Sequence, residues 1–373
     1  MADTIMMKNA NREDLIDIIT NISPDENFLQ GKFGRTTVQG MSHDWLCDSI
    51  RPAGSNRQKE DADFATAEGV ARIRMNNYIQ HFMVGYKVTD AQEAVLKAGV
   101  KSEVAYQMVK ASKELSRDLE YAIVRNEKAI AGVANQGGQF GGVRYFNGGD
   151  AVPLSQTSGT IKFANHKLQT GGAVVFHIPT GGTMPEGLVA NKLYFVRVVN
   201  DESFKIYTTP QDAQSDTSPI VPKDNGTKVN VTRSNVISLN GALTEDALNN
   251  IMEMCWKQGA KIESAVMSGK NKRTVSSFTA GVQKIADMGE TKRKAVVDVW
   301  ETDFGLINLE AHRQADDDRI DFFEYQYWKL AFLKPFAVED VPRKGTYTEK
   351  VITGMVTIEN RSPVSNGTVI GIA

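Results

Sequence analysis

Two cysteines in 373 residues, Cys47 and Cys255, cannot build a disulfide framework, and they sit in no metal-ligand spacing. Such usage predicts a reducing compartment. Charge of one sign is also lacking: 43 basic and 45 acidic residues leave a formal −2. That balance gives no reason to expect a nucleic-acid or membrane surface, although it averages over local patches. No run approaches the ~18 apolar residues of a membrane span. The opening MADTIMMKNANRED has no apolar stretch of signal-peptide length. These absences predict a soluble protein held in a cytoplasm-like milieu.

Catalytic apparatus is missing too. His43, His81, His166, His177 and His312 are scattered, with no second ligand at i+2 to i+4, and read as surface or half-buried strand histidines. Asp316-Asp317-Asp318 has no glycine or further ligand to complete a calcium loop and reads as a solvated acidic turn. NQGGQFGG (135–142) lacks Gly-Lys-Ser/Thr and follows a helix rather than a strand, which argues against a phosphate cradle. There is no G-x-S-x-G elbow and no H-E-x-x-H. The sequence therefore assigns no catalytic, cofactor-binding or metal residue, and no cofactor. Lys270, Lys272 and Arg273 precede a helix without interleaved aromatics, fitting a solvated loop or an intersubunit contact.

What is present is architecture. Residues 1–35 are polar and irregular, with a short helix at Arg12–Thr20, and read as an arm that packs on something else. Residues 36–50 and 69–88 read as extended around a polar tip, a hairpin longer than a compact domain needs. Thr89 and Gln92 form a capping box, and Gly99 ends that helical piece. Ser102 caps a second helix with Val104, Met108, Ala111, Leu115, Leu119, Ala122 and Ile123 on one face. Lys110, Lys113, Glu114, Arg117 and Glu120 take the other face, with charge pairs at helical spacing. That helix is expected to run to about Ile130, roughly 40 Å at 1.5 Å per residue.

A flexible glycine-rich segment at 134–150 leads into a stretch of different grammar. Residues 157–209 alternate apolar and polar in short runs broken by Gly-Gly, Pro and Asn-Asp, which is strand and hairpin patterning. Helical patterning resumes at Thr244 and stops at Gly259, so the β-rich stretch reads as a guest in a host fold. A short strand follows at 262–269, and KNKRTVSSF leads into another helical stretch. From about Ala295 the chain is mostly β. IDFFEYQYWKLAF (320–332) alternates as one strand packed on both faces. Val351, Val356 and Ile358 beside Asn360, Pro363 and Asn366-Gly367 suggest a closing hairpin.

This order of elements resembles the major capsid proteins of tailed bacteriophages, with their Hong Kong-type shell fold. The segments that carry the resemblance are ISPDENFLQGKFGRTTVQGMSHDWLCDSIRPAG (22–54), ELSRDLEYAI (114–123), GALTEDALNNIMEMCWKQG (241–259) with SGKNKRTVSSF, and LKPFAVEDVPRKG with KVITGMVTIENRSP. The resemblance implies an α+β fold: an N-terminal arm in 1–35, an extended loop hairpin in 36–88 lapping over a neighbour, and a spine helix in 89–130 of a peripheral domain. It further implies an axial domain in 131–151 and 237–290, and a C-terminal, mainly peripheral β-region in 291–373. The stretch 152–236 is then a β-rich insertion domain.

The implied function is a non-enzymatic major capsid protein. It would assemble with itself into pentamers and hexamers of an icosahedral shell enclosing phage double-stranded DNA, touched non-specifically at the inner surface. Scaffolding and portal proteins are implied partners, with no membrane. The implied location is the virion, after synthesis in the bacterial host cytoplasm. An alternative is a surface- or glycan-binding protein acting through the β-insert, and a third is an enzyme with a site assembled from distant residues. Decoration, capsomer reinforcement and host-surface adhesion all remain open for the insert, which is expected to fold independently and be dispensable for shell closure. Trp45, Leu46, Ile50, Ile73, Tyr78, Ile79 and Phe82 are expected to find their cover on a neighbouring subunit.

Overall fold

The computed structural model describes residues 27–48, 50, 53, 57–61, 63, 72–95, 101–149, 151–179, 181–233, 235–279 and 298–373. The helix expected at Arg12–Thr20 and the stop at Gly99 lie outside these residues. The long helix spans Glu103–Arg125, with the Ser102 hydroxyl accepting the Ala105 N–H at 3.3 Å. It ends before Ile130 because Asn126 turns extended and its side chain donates to the Phe140 carbonyl and to Gln80 Oε1. Ala111, Leu115, Leu119, Ala122 and Ile123 are buried as the periodicity predicts.

That face packs on a four-stranded sheet. Trp328–Asp340 runs antiparallel to Tyr347–Asn360, which pairs with Gln80–Thr89, while Gly34–Thr37 lies parallel to Trp328–Asp340 on its other side. The base of the expected arm is thus a core element: Leu29 and Phe33 are buried, and the Phe33 ring stacks on Trp328 at 5.1 Å. The extended segment 69–88 divides in two. Ile73–Tyr78 pairs with Ser42–Cys47 as a two-stranded ribbon, and after Ile79 the chain enters the four-stranded sheet.

A six-stranded sheet has the order Asn235–Gly241, Gly367–Ile372, Arg319–Phe323, Ser264–Met267, Gly305–Ala311, Val299–Thr302. The helix Glu245–Lys257, capped by Thr244 and followed by Gly259 at φ +84°, lays Leu248, Ile251, Met252 and Cys255 on it. A second helix, Gly269–Thr279, follows the Ser264–Met267 strand.

The aromatic segment 320–332 is not one strand. It leaves the six-stranded sheet at Phe323, turns through Tyr325–Tyr327, and enters the four-stranded sheet at Trp328. Phe322 joins one core and Phe323 the other, so the alternation reports two sheets rather than one two-faced strand. The expected closing hairpin is corrected likewise, since Tyr347–Asn360 and Gly367–Ile372 belong to different sheets. One side chain pins both crossovers: Asn366 Oδ1 accepts the Trp328 indole N–H at 2.7 Å and the Glu324 N–H at 3.4 Å.

From Phe140 on, the glycine-rich segment is packed, while residues 134–137 are exposed. Phe140 is fully buried, and a Cβ on Gly142 would stand 2.5 Å from the Ile123 carbonyl oxygen. The Asn77 side chain brackets Gly141, donating to its carbonyl and accepting its N–H.

Residues 152–232 contain a seven-stranded sheet whose pairings are all antiparallel. Its two edge strands, Val152–Pro153 and Ser155–Thr157, are separated in the chain by Leu154 alone, so the sheet rolls up until its edges approach. Inside lie Ile161, Val174, Phe176, Val196, Phe204 and Ile206. Alternate residues Ala173, Val175 and Leu193 point the other way, into the same core as Ile237, Leu248 and Ile251. The β-rich stretch therefore has a core of its own but shares an outer face with the six-stranded unit.

Candidate functional site

Among the described residues no cluster of three or more His, Cys, Asp or Glu could hold a metal ion. The histidines stay apart from one another and play structural parts. His43 bonds Glu359 at 3.0 Å, and His81 is exposed. His166, His177 and His312 are buried, against the surface or half-buried reading. His166 Nε2 meets the Asn200 carbonyl at 2.8 Å, and burial pushes the His177 imidazole down to about 4. Asp316 is not a solvated turn residue, because it pairs with Arg125 and Arg144. Lys272 pairs with Asp298 at 2.9 Å, while Lys270 and Arg273 remain exposed.

Glu120 is the residue that sequence reasoning misplaced. Rather than lying on the charged face, it is fully buried and accepts the Leu29 N–H at 2.7 Å and the Gln30 N–H at 3.2 Å. His312 Nε2 meets the same carboxylate at 3.0 Å. Since His312 Nδ1 accepts the Gln314 N–H, the ring hydrogen is placed on Nε2 and a neutral imidazole donates to Glu120. One carboxylate thus ties the arm base, the long helix and the turn after Gly305–Ala311. The signal for it was Val124, four residues on and also buried, which widens the apolar stripe to include position 120.

The ribbon Ser42–Cys47/Ile73–Tyr78 is the feature with functional shape. Its inner side is nailed to its own chain, where the Trp45 indole donates to the Asn360 carbonyl at 2.9 Å and Asn77 donates to the Ile358 carbonyl at 2.8 Å. Glu359 supports the same seam. Burial pushes its carboxyl up, but the hydrogen bonds from His43 and Arg361 outweigh that and hold it below the usual carboxylate range. Trp45, Ile79 and Phe82 are therefore covered within the subunit, contrary to expectation, and Ile73 and Tyr78 are half-buried. Leu46 and Ile50 stay bare at 63% and 94% exposure. Between the ribbon, the rolled sheet, the end of Glu245–Lys257 and the crossover at Arg361–Val364 lies a cavity of about 510 Å³.

These features make a ribbon packed on its inner side with apolar surface projecting on the other. No described helix is long and apolar enough to cross a membrane. In overall fold the chain is similar to the Cyanophage A-1(L) capsid subunit, with a TM-score of 0.59 at 9% identity over 100% of this chain and 99% of that one. It is similar to the capsid subunit of an empty GTA particle, with a TM-score of 0.56 at 11% identity over all of both chains. The capsid of Cyanophage P-SCSP1u gives 0.53 at 9% identity, over 97% of this chain and 93% of that one. These likenesses show the shell fold alone. No curated protein matches the chain in sequence. The family model described as SU10 major capsid protein matches residues 3–373. With the whole length matched and a non-catalytic shell fold to go with it, the chain belongs to the SU10 major capsid protein family.

Proposed function

We propose that this phage-type major capsid protein assembles into pentamers and hexamers that close an icosahedral shell around double-stranded DNA. Contact with the DNA at the inner surface is non-specific, and separate scaffolding and portal proteins act during assembly in the host cytoplasm. The division into arm, loop, peripheral, axial and inserted domains is part of the same reading.

The observation that carries it is the ribbon. A two-stranded ribbon is marginal by itself in water. Here its inner side is fixed by Trp45 and Asn77, while Leu46 and Ile50 are held out toward solvent. An element anchored on one side and presenting bare apolar side chains on the other suits an obligate contact with further copies, where interfaces commonly bury on the order of 2,000 Å² or more. The clasp is thus narrower than the full apolar set expected from sequence. Electron microscopy of the purified chain, with co-expressed scaffold where needed, is expected to show closed shells tens of nanometres across. A monomer or small oligomer under those conditions would overturn the reading.

A further inference from the structure

The rolled sheet also touches the ribbon and the chain just past its first strand. Lys167 Nζ donates to Asn76 Oδ1 at 2.5 Å, on the strand Ile73–Tyr78. Gln169 Nε2 reaches Asp48 Oδ1 at 3.5 Å, just past the end of Ser42–Cys47. From a separate element, the helix Pro210–Ser215, Gln211 Nε2 donates to the Ala53 carbonyl at 2.9 Å. Two parts of the rolled sheet unit therefore reach both arms of the hairpin. The body anchors the ribbon through His43, Trp45, Cys47 and Asn77, and through Met75 buried in the core of the four-stranded sheet.

We infer that the β-rich unit is an internal brace that sets the pose of the extended hairpin, in addition to any role on the shell surface. The body fixes the inner side of the ribbon, and the brace adds contacts at Asn76 on its second strand and at Asp48 and Ala53 past its first. The cavity of about 510 Å³ lies at this joint, lined by Ile73, Leu168 and Phe195 among others. With Trp45 and Met75 rooted in the core on the inner side, the face of the ribbon toward this cavity is the one left for the brace to restrain. Lys167, Gln169 and Gln211 are the positioning residues, because they offer long side chains with terminal donors to the ribbon.

The consequence for assembly rests on the proposed shell function, but the test is made on the unassembled full-length chain and stands apart from it. Hydrogen exchange is followed in the variant Lys167→Ala/Gln169→Ala/Gln211→Ala. Amides of 42–48 and 73–78 are expected to exchange at least tenfold faster than in the parent, with the long helix Glu103–Arg125 unchanged. Restoring Lys167→Arg in that background, which keeps a donor of similar reach, is expected to recover part of the protection on Ile73–Tyr78. Unchanged exchange in the ribbon, or acceleration no greater than in the long helix, overturns the brace.

Discussion

The rolled sheet of 152–232 and the four-stranded sheet around Trp328–Asp340 manage their edges in opposite ways. In the first, the edge strands Val152–Pro153 and Ser155–Thr157 are only two and three residues long and adjoin through Leu154, so little open edge is left to offer a neighbour. In the second, Gly34–Thr37 covers only Lys329–Phe332, and among the described strands none pairs with the outer side of Lys334–Asp340. That stretch is blunted instead, by register shifts around Lys334 and Ala337, by Pro335, and by Glu339 and Asp340. One sheet is finished within the chain. The other is left open but guarded, as a subunit that meets many copies of itself requires.

The largest expected effect tests how separate the rolled sheet is. Phe204 is fully buried, with the His166 ring edge-on at 5.5 Å and Phe163 at 6.5 Å. Phe204→Ala is expected to cost about 3–5 kcal/mol. Because Ala173, Val175 and Leu193 lie in the core of the six-stranded unit, calorimetry should show one lowered transition for both. A new early transition, with the remainder unmoved, would mean that the rolled sheet unfolds alone. That result would restore the independence expected from the sequence.

A smaller effect separates the two sheets by pH. His177 ends a strand of the rolled sheet, and burial lowers its imidazole from 6.5 to about 4. As pH falls below 6.5 the unfolded chain takes up this proton first. Stability is therefore complete above about 6.5, falls through the window down to about 4, and then levels. The loss is about 3 kcal/mol. His177→Leu removes the titration, so the difference between variant and parent in urea melts should change by that amount across the window. A constant difference from pH 7 to 4 would show that His177 does not resist protonation in the fold.

Local grammar was legible and partnership was not. Ser102 and Thr244 cap helices where the sequence places them, since a hydroxyl three residues before a free N–H is a short-range fact. The alternation in 157–209 identified a β-rich unit for the same reason. Strand pairing depends on residues far apart, so 320–332 passed for one strand when Glu324 to Tyr327 carry the chain between sheets. Glu120 was misassigned because its donors, Leu29, Gln30 and His312, are about 90 and 192 positions away. The ribbon was found, but the cover on its inner side comes from Asn360 and Ile358, more than 280 positions on. Nothing in residues 36–88 announces it.

The smallest effect on the subunit concerns the guarded edge itself. Pro335 has no N–H to offer and sits inside the register shift between Lys334 and Ala337. The neighbouring Phe336 ring lies over Gly354, where a Cβ would come within 2.2 Å of it, so this part of the strand is held in its irregular path by packing as well. Pro335→Val restores a donor and raises strand propensity without touching that ring. Subunit stability should move by no more than about 0.5 kcal/mol. What should change is association: light scattering during refolding is expected to rise, because a regular edge is a template for another strand. Adding Val338→Lys, at a position 44% exposed on the same stretch, should bring the scattering back toward the parent value. If Pro335→Val refolds as cleanly as the parent, the proline is not what guards this edge. The register shifts and charges would then be sufficient, and the contrast with the rolled sheet would rest on them alone.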